Sequence, residues 1–379
     1  MTTEFEPVTE NATLKRHIVG VIRETGGGIP FREFMELALY HPTLGYYNVP
    51  REKIGRSGDY LTSPEMSPLF GAMVGRQLRE LWERMGEPAR FDVVEAGPGT
   101  GVLARDILAW ATRTAPEFEA ALKYTLVETS PALGERQLAT LVAEGLKAQL
   151  RDELPSRVTG CILSNELLDA MPVHRVAVEN GGLREVYVST DGERFSEELR
   201  DPHLDIVAYF EALGLLPGEG CRAEVNLAAP EWMTDAARAL ERGYVLTFDY
   251  GYEASELYAP WRTAGTLLGF YRHNPSHDPY ARIGRQDITA HVDFTTIRRA
   301  GEGAGLTTLR LTTQSAFLAA LGLGEALAAS TGSQQDMEEY FARRRAVTEL
   351  LDPGGLGRIK VLVQAKGAGG PLMGLAGDE

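Results

Sequence analysis

The sequence predicts a doubly wound α/β fold, and three observations carry that prediction. Short apolar runs alternate with amphipathic stretches from Phe91 onward. The first run, FDVVEA (91–96), leads directly into a glycine-rich turn at 97–101. The next, YTLVE (124–128), ends on a carboxylate. Apolar strands alternating with helices imply parallel pairing, right-handed crossovers and helices on both faces. Ligands in such sheets bind beyond the carboxyl ends of the strands.

Residues 31–40 place Phe31, Phe34, Met35 and Leu39 on one helical stripe. His41-Pro42 ends that helix, because a residue before proline is pushed out of the α region. The stretch from Thr43 to Glu65 is polar and, at 23 residues, too long for a plain connector. Loops of that length usually carry function or are disordered. A helix follows over 67–85. After the strand 91–96 come a helix from Gly99 to about Arg113, the strand 124–128, and a helix over 130–143. That last helix has Ser130 as N-cap and Pro131 in its first turn. A strand follows at 158–166. Residues 173–199 read as two or three antiparallel strands, turning at Asn180-Gly181-Gly182 and Asp191-Gly192. A helix near 229–242 leads into a buried strand at 244–251, and 252–292 is loop-rich. A helix at 294–305 and strands at 306–313 and 357–366 complete the core. The expected organisation is an N-terminal helical segment and cofactor lid over 1–90, and a core over 91–172 and 243–366. An inserted substrate-side region covers 173–242 and 252–292, and a flexible tail covers 367–379.

Composition narrows the function. Lys plus Arg is 38 against 53 Asp plus Glu, a net charge of −15. That argues against non-specific nucleic-acid binding, which needs cations to neutralise phosphates, and favours cationic partners. The two cysteines, Cys161 and Cys221, make neither a disulfide framework nor a zinc cluster. His273, His277 and Asp278 have loose metal-ligand spacing but no further ligand, so no metal is expected. The N-terminus is acidic and lacks an apolar leader, and no apolar run approaches the roughly 18 residues of a membrane span. The expectation is a cytoplasmic protein without a membrane span.

The turn Glu95-Ala96-Gly97-Pro98-Gly99-Thr100-Gly101 follows a strand and opens a helix. Glycines serve where a backbone must turn tightly and approach a ligand closely. A dinucleotide loop would read G-x-G-x-x-G/A, and Val102 breaks that pattern at its last position. The carboxylate of Glu128 is suited to the two ribose hydroxyls of an adenosine. Together these features point to S-adenosylmethionine (SAM), with Glu95 holding its amino-acid end directly or through the loop. A plain glycine-rich turn is the competing reading.

Ser164-Asn165-Glu166-Leu167-Leu168-Asp169 leaves a strand at its ligand-facing end. Two carboxylates and an amide there suit a cationic acceptor, since a planar guanidinium pairs with carboxylates bidentately. They also suit proton uptake. Asp169 as a helix cap and Asn165 as a loop brace is the alternative. Asp59, Thr62, Ser63 and Glu65 fall in the over-long loop, where they would cover the cofactor or simply cap a turn. Asp249 ends another strand. Asp293 is a natural N-cap, and His291 beside it is either an acid–base group or a structural histidine.

Several segments in order resemble the MidA-type methyltransferases, a family that includes the mitochondrial assembly factor for respiratory complex I. They are GRSGDYLTSPEMSPLFG (55–71), VVEAGPGTGVLARDIL (93–108), SNELLDAMPVHR (164–175), FDYGY (248–252) and DITAHVDF (287–294). The resemblance spans roughly residues 10–365. It implies a Rossmann-like methyltransferase core with SAM as cofactor and S-adenosylhomocysteine as product. For the mitochondrial members it implies symmetric dimethylation of arginine on a protein subunit. It matches Gly97, Gly99 and Gly101 to the SAM loop, Glu128 to the ribose acid, and Asp59, Thr62, Ser63 and Glu65 to the segment over the cofactor. It matches Asn165, Glu166 and Asp169 to the loop beside the acceptor, and His291 and Asp293 to a downstream motif. The expected partner is a protein substrate, such as a respiratory-complex subunit. The rivals are a small-molecule N- or O-methyltransferase and a non-catalytic assembly factor. A NAD-dependent oxidoreductase is disfavoured by Val102.

Overall fold

The computed structural model describes residues 10–49, 53, 55, 58–329 and 337–377. Positions 56 and 57 of the first resembling segment lie outside them.

At its centre is a seven-stranded sheet, numbered here in chain order: β1 (Phe91–Ala96), β2 (Leu122–Val127), β3 (Gln149–Arg151), β4 (Val158–Asn165), β5 (Leu240–Asp249), β6 (Thr307–Thr313) and β7 (Lys360–Lys366). The spatial order is β3-β2-β1-β4-β5-β7-β6. The first five strands pair in parallel, and β7 runs antiparallel to β5 and β6. The order reverses between β1 and β4, so the loops after these strands diverge and leave a crevice.

Strand period 2 sorts the side chains onto two faces. Val93, Cys161, Leu163, Leu246, Phe248, Val361 and Val363 join one apolar cluster. Val94, Ile162, Val245 and Leu362 join another on the opposite face. Five helices, numbered in chain order, matter to the site: α1 (Phe31–Tyr40), α2 (Pro68–Arg84), α3 (Val102–Thr114), α4 (Pro131–Ala143) and α5 (Ala228–Ala239). Helices α2 and α3 cover the first face, with α3 offering Leu103, Ala104, Ile107 and Ala111 at helical spacing. Helix α5 and the helix Phe294–Gly303 cover the second. The latter starts on Asp293, whose carboxylate accepts from Thr295 N and Thr296 N, the cap expected from its sequence.

Two turns expected at 180–182 and 191–192 lie between antiparallel strands His174–Glu179, Gly182–Thr190 and Phe195–Arg200. Arg222–Val225 and Ile29–Pro30 extend this second sheet. Helix α1 packs there with the helix Ala12–Glu24, placing Phe31, Phe34, Ile18 and Ile22 in a third core.

The stretch 252–292, expected as loop, contains an antiparallel sheet of Leu268–Tyr271, Asn274–Ser276 and Asp287–Thr289. Its strands are three or four residues long, too short to show periodicity. The expectation of a frayed tail is also corrected. Leu372 is buried, Met373 N donates to Glu80 (2.8 Å) and Gly374 N donates to Gln77 (3.0 Å). Glycine-rich composition concealed backbone donors that two α2 side chains satisfy.

Candidate active site

A cavity of about 1510 Å³ follows the carboxyl edge of β3, β2, β1 and β4. It begins at the loop 152–156 and at Trp232 and Asp235 of α5. It passes Glu128 and the glycine turn, and ends at Glu166 against Tyr40, Tyr47 and Tyr60.

Gly97, Gly99 and Gly101 all have left-handed backbones, φ 64°, 56° and 80°. An L side chain is disfavoured there. Space decides the same way at two of them. A Cβ on Gly97 would sit 2.7 Å from Leu167 Cδ1, and one on Gly101 would sit 3.1 Å from Gln137 Cα. Gly97 and Gly99 line the cavity, while Gly101 shapes the start of α3 against α4. Gln137 ties the turn to the acid: its Nε2 donates to Gly99 O (3.0 Å) and to Glu128 Oε2 (3.0 Å). Glu128 Oε1 accepts from Ser130 N (2.9 Å). Ser130 is the N-cap of α4 by position, but its side chain makes no capping bond. Burial pushes the Glu128 carboxyl upward against these donors.

Glu95 ends β1 at the cavity and is only 2% exposed. Burial pushes it up to about 7, although Tyr124 Oη donates to it at 2.7 Å. Opposite, Thr62 and Glu65 line the wall, and Thr100 Oγ1 donates to Glu65 Oε1 at 2.5 Å, closing the N-terminal segment onto the glycine turn.

Asp59 and Ser63, expected over the cofactor, brace that segment from behind. Asp59 is buried and accepts from Tyr46 Oη (2.9 Å) and Arg272 N (3.0 Å). Ser63 Oγ donates to buried Gln314 (2.8 Å), while its N–H donates to Glu166 Oε1 (3.3 Å).

Glu166 has φ 52°, a left-handed backbone in a residue that rarely adopts it. Such strain persists where surrounding contacts over-determine it and tends to cluster at functional sites. Here Glu166 N donates to Phe248 O (2.8 Å), and Asn165 Nδ2 donates to Glu166 Oε1 (3.0 Å). Burial pushes its carboxyl up to about 7. Asn165 lines the cavity, and its Oδ1 is buried with no partner among the described residues.

Asp169, expected beside the acceptor, is not on the cavity wall. Asp249 Oδ2 accepts from Leu168 N (2.8 Å) and draws the loop onto the end of β5. Leu167 and Ala170 then face the cavity, and Asp169 is turned inward beside Asp249. Burial and the Asp249 charge push Asp169 well above the carboxylate range. His291 is also away from the wall. Its ring stacks on Tyr250 (6.2 Å, 15°) and packs on Tyr252. Burial, with Arg358 and Arg262 nearby, pushes it down to about 4, so it is a neutral imidazole at pH 7.

Sequence reasoning missed Tyr40, Tyr47, Tyr60, Gln137 and the loop 152–156. The tyrosines belong to α1 and the polar loop, whose fold against the inserted region no local pattern reveals. Asp287 was within reach, since it opens one of the resembling segments.

Residues 73–312 match the family of S-adenosyl-L-methionine-dependent methyltransferases. The chain belongs to that family. Among curated relatives, the Drosophila melanogaster "Protein arginine methyltransferase NDUFAF7 homolog, mitochondrial" is 32% identical over 74% of this chain and 68% of its own. The Homo sapiens "Protein arginine methyltransferase NDUFAF7, mitochondrial" is 30% identical over 84% and 75%. A Burkholderia thailandensis protein crystallised with S-adenosyl-homocysteine superposes with a TM-score of 0.90 at 34% identity, covering 98% of both chains. The MidA-type resemblance and the methyltransferase core therefore hold, with SAM as cofactor. The expected cytoplasmic location is corrected: these curated relatives, matched over most of the chain, are named as mitochondrial. No helix among the described residues is long and apolar enough to cross a membrane.

Proposed function

We propose that this enzyme methylates an arginine side chain of a protein, with the cofactor between Glu128 and Glu95 and the guanidinium beside Glu166. One observation carries the reading: a single cavity joins the glycine turn and Glu128 to a strained, buried carboxylate facing a tyrosine wall. Relatives named as protein arginine methyltransferases support it. By family resemblance the product is a symmetric dimethylarginine, and the acceptor would be a subunit of a respiratory complex.

The residues fit the cofactor. Gly97 and Gly99 bring bare backbone to the cavity wall, Glu128 offers a carboxylate to ribose hydroxyls, and Asn165 Oδ1 is an unmatched acceptor in the wall. When bound, SAM supplies an electrophilic methyl group on a sulfonium. The protein aligns the acceptor, a contribution that can reach about 7–11 kcal/mol. Glu166 accepts N–H donation from the guanidinium, fixes its orientation, and is poised near neutrality to take the proton that the nitrogen sheds. Asp249 and Asp169 position the loop.

The test is incubation with methyl-labelled SAM and either whole protein extract or its small-molecule filtrate, followed by hydrolysis. Labelled methylarginine in protein is expected. Label confined to small metabolites would favour the small-molecule reading, and no label despite SAM binding would favour the non-catalytic one. Glu166→Gln should lose at least about 100-fold in turnover while retaining SAM affinity.

A further inference from the structure

The far wall of the cavity has a hydrogen-bonding polarity that the reaction class does not require. Tyr40 Oη donates to Ala170 O (2.9 Å), and Tyr47 Oη donates to Asp287 Oδ1 (2.8 Å). Asp287 is buried and also accepts from Ile288 N (3.0 Å). Tyr60 lines the same end of the cavity. A hydroxyl has one proton and two lone pairs. The protons of Tyr40 and Tyr47 are both directed into the protein, so these two oxygens are left as acceptors. Glu166 adds a carboxylate and Asn165 an unmatched amide oxygen. The Tyr40 and Tyr47 rings are stacked at 5.2 Å and 25°, giving this wall a flat aromatic surface.

We infer that Tyr40 and Tyr47, oriented by Ala170 O and Asp287, form a specificity wall that admits a planar, donor-only cation and rejects ligands that must accept hydrogen bonds. A guanidinium has five N–H donors in one plane and no acceptor. Its neutral urea analogue, citrulline, carries a carbonyl oxygen to which the Tyr40 and Tyr47 hydroxyls offer no proton. An ammonium is donor-only but not planar, so it satisfies fewer of these acceptors. Ring faces favour the cation again. This inference rests on the arginine reading but makes a separate claim, because it concerns selection and not transfer.

The experiment is saturation-transfer NMR of the S-adenosylhomocysteine-loaded protein with N-acetyl-arginine amide, N-acetyl-lysine amide and N-acetyl-citrulline amide. The arginine probe should bind at least about tenfold more tightly than the other two. Tyr47→Phe and Tyr40→Phe should each erode that preference several-fold while S-adenosylhomocysteine affinity, measured calorimetrically, stays unchanged. Equal binding of citrulline, or intact selectivity in both variants with cofactor affinity preserved, would overturn it. Selectivity that survives without any methyl transfer would uphold the wall and sink the arginine methyltransferase reading instead.

Discussion

Glu166 and Glu95 are both buried carboxyls raised to about 7 from an ordinary 4.5, and they make opposite predictions. Glu166 must be ionised to hold a guanidinium, so turnover should rise through a single ionisation near 7, and Glu166→Gln should abolish that limb of the pH profile. Glu95 speaks through stability. Folded Glu95 holds its proton more tightly than the unfolded chain does, so its contribution is fully present below about 4.5 and is lost as pH rises through about 7. Glu95→Gln keeps an acceptor for Tyr124 and carries no charge. The variant should therefore gain on the order of 2 kcal/mol relative to wild type between pH 5 and pH 8, read from urea unfolding at the two values. No pH-dependent difference would mean that folded Glu95 ionises as it does in the unfolded chain.

At the scale of elements, the glycine turn is rigid by necessity and the tail is an integral strap. Gly101→Ala puts an L side chain at φ 80° against the Gln137 backbone, and should cost about 1–2 kcal/mol and shift α4 with its Glu128 contact. Deleting residues 371–379 removes the buried Leu372 side chain and frees the Gln77 and Glu80 partners, so the melting temperature should fall by several degrees. An unchanged melting curve would mean the strap adds nothing.

Legibility differed between these elements for physical reasons. The strands 91–96 and 158–165 are short, mostly apolar runs bounded by turn residues, so pattern alone places them. Asp169 read as functional because it lies three residues after Glu166, but its direction depends on Asp249 from a strand about eighty residues away. His291 is hidden in the same way by Tyr250 and Tyr252. Tyr47 became visible only when Asp287, 240 residues on, closed against it.

Across the whole molecule, a net charge of −15 surrounds a cavity that ends at the Glu166 carboxylate. Such a field draws cationic segments in and is screened by salt. For a basic peptide acceptor, kcat/KM should fall severalfold between about 50 and 500 mM salt, with S-adenosylhomocysteine affinity changing much less. The insensitivity of both to salt would separate the acceptor from the acidic surface.

The central claim is that one cavity holds the methyl donor between the glycine turn and Glu128 and presents it to Glu166. Calorimetric titration of wild type and Gly97→Val with SAM, S-adenosylhomocysteine and NAD tests it most directly. The account predicts that wild type binds the first two and not NAD, and that Gly97→Val binds none while its circular dichroism is unchanged. SAM binding that survives Gly97→Val, or NAD binding in its place, would contradict it.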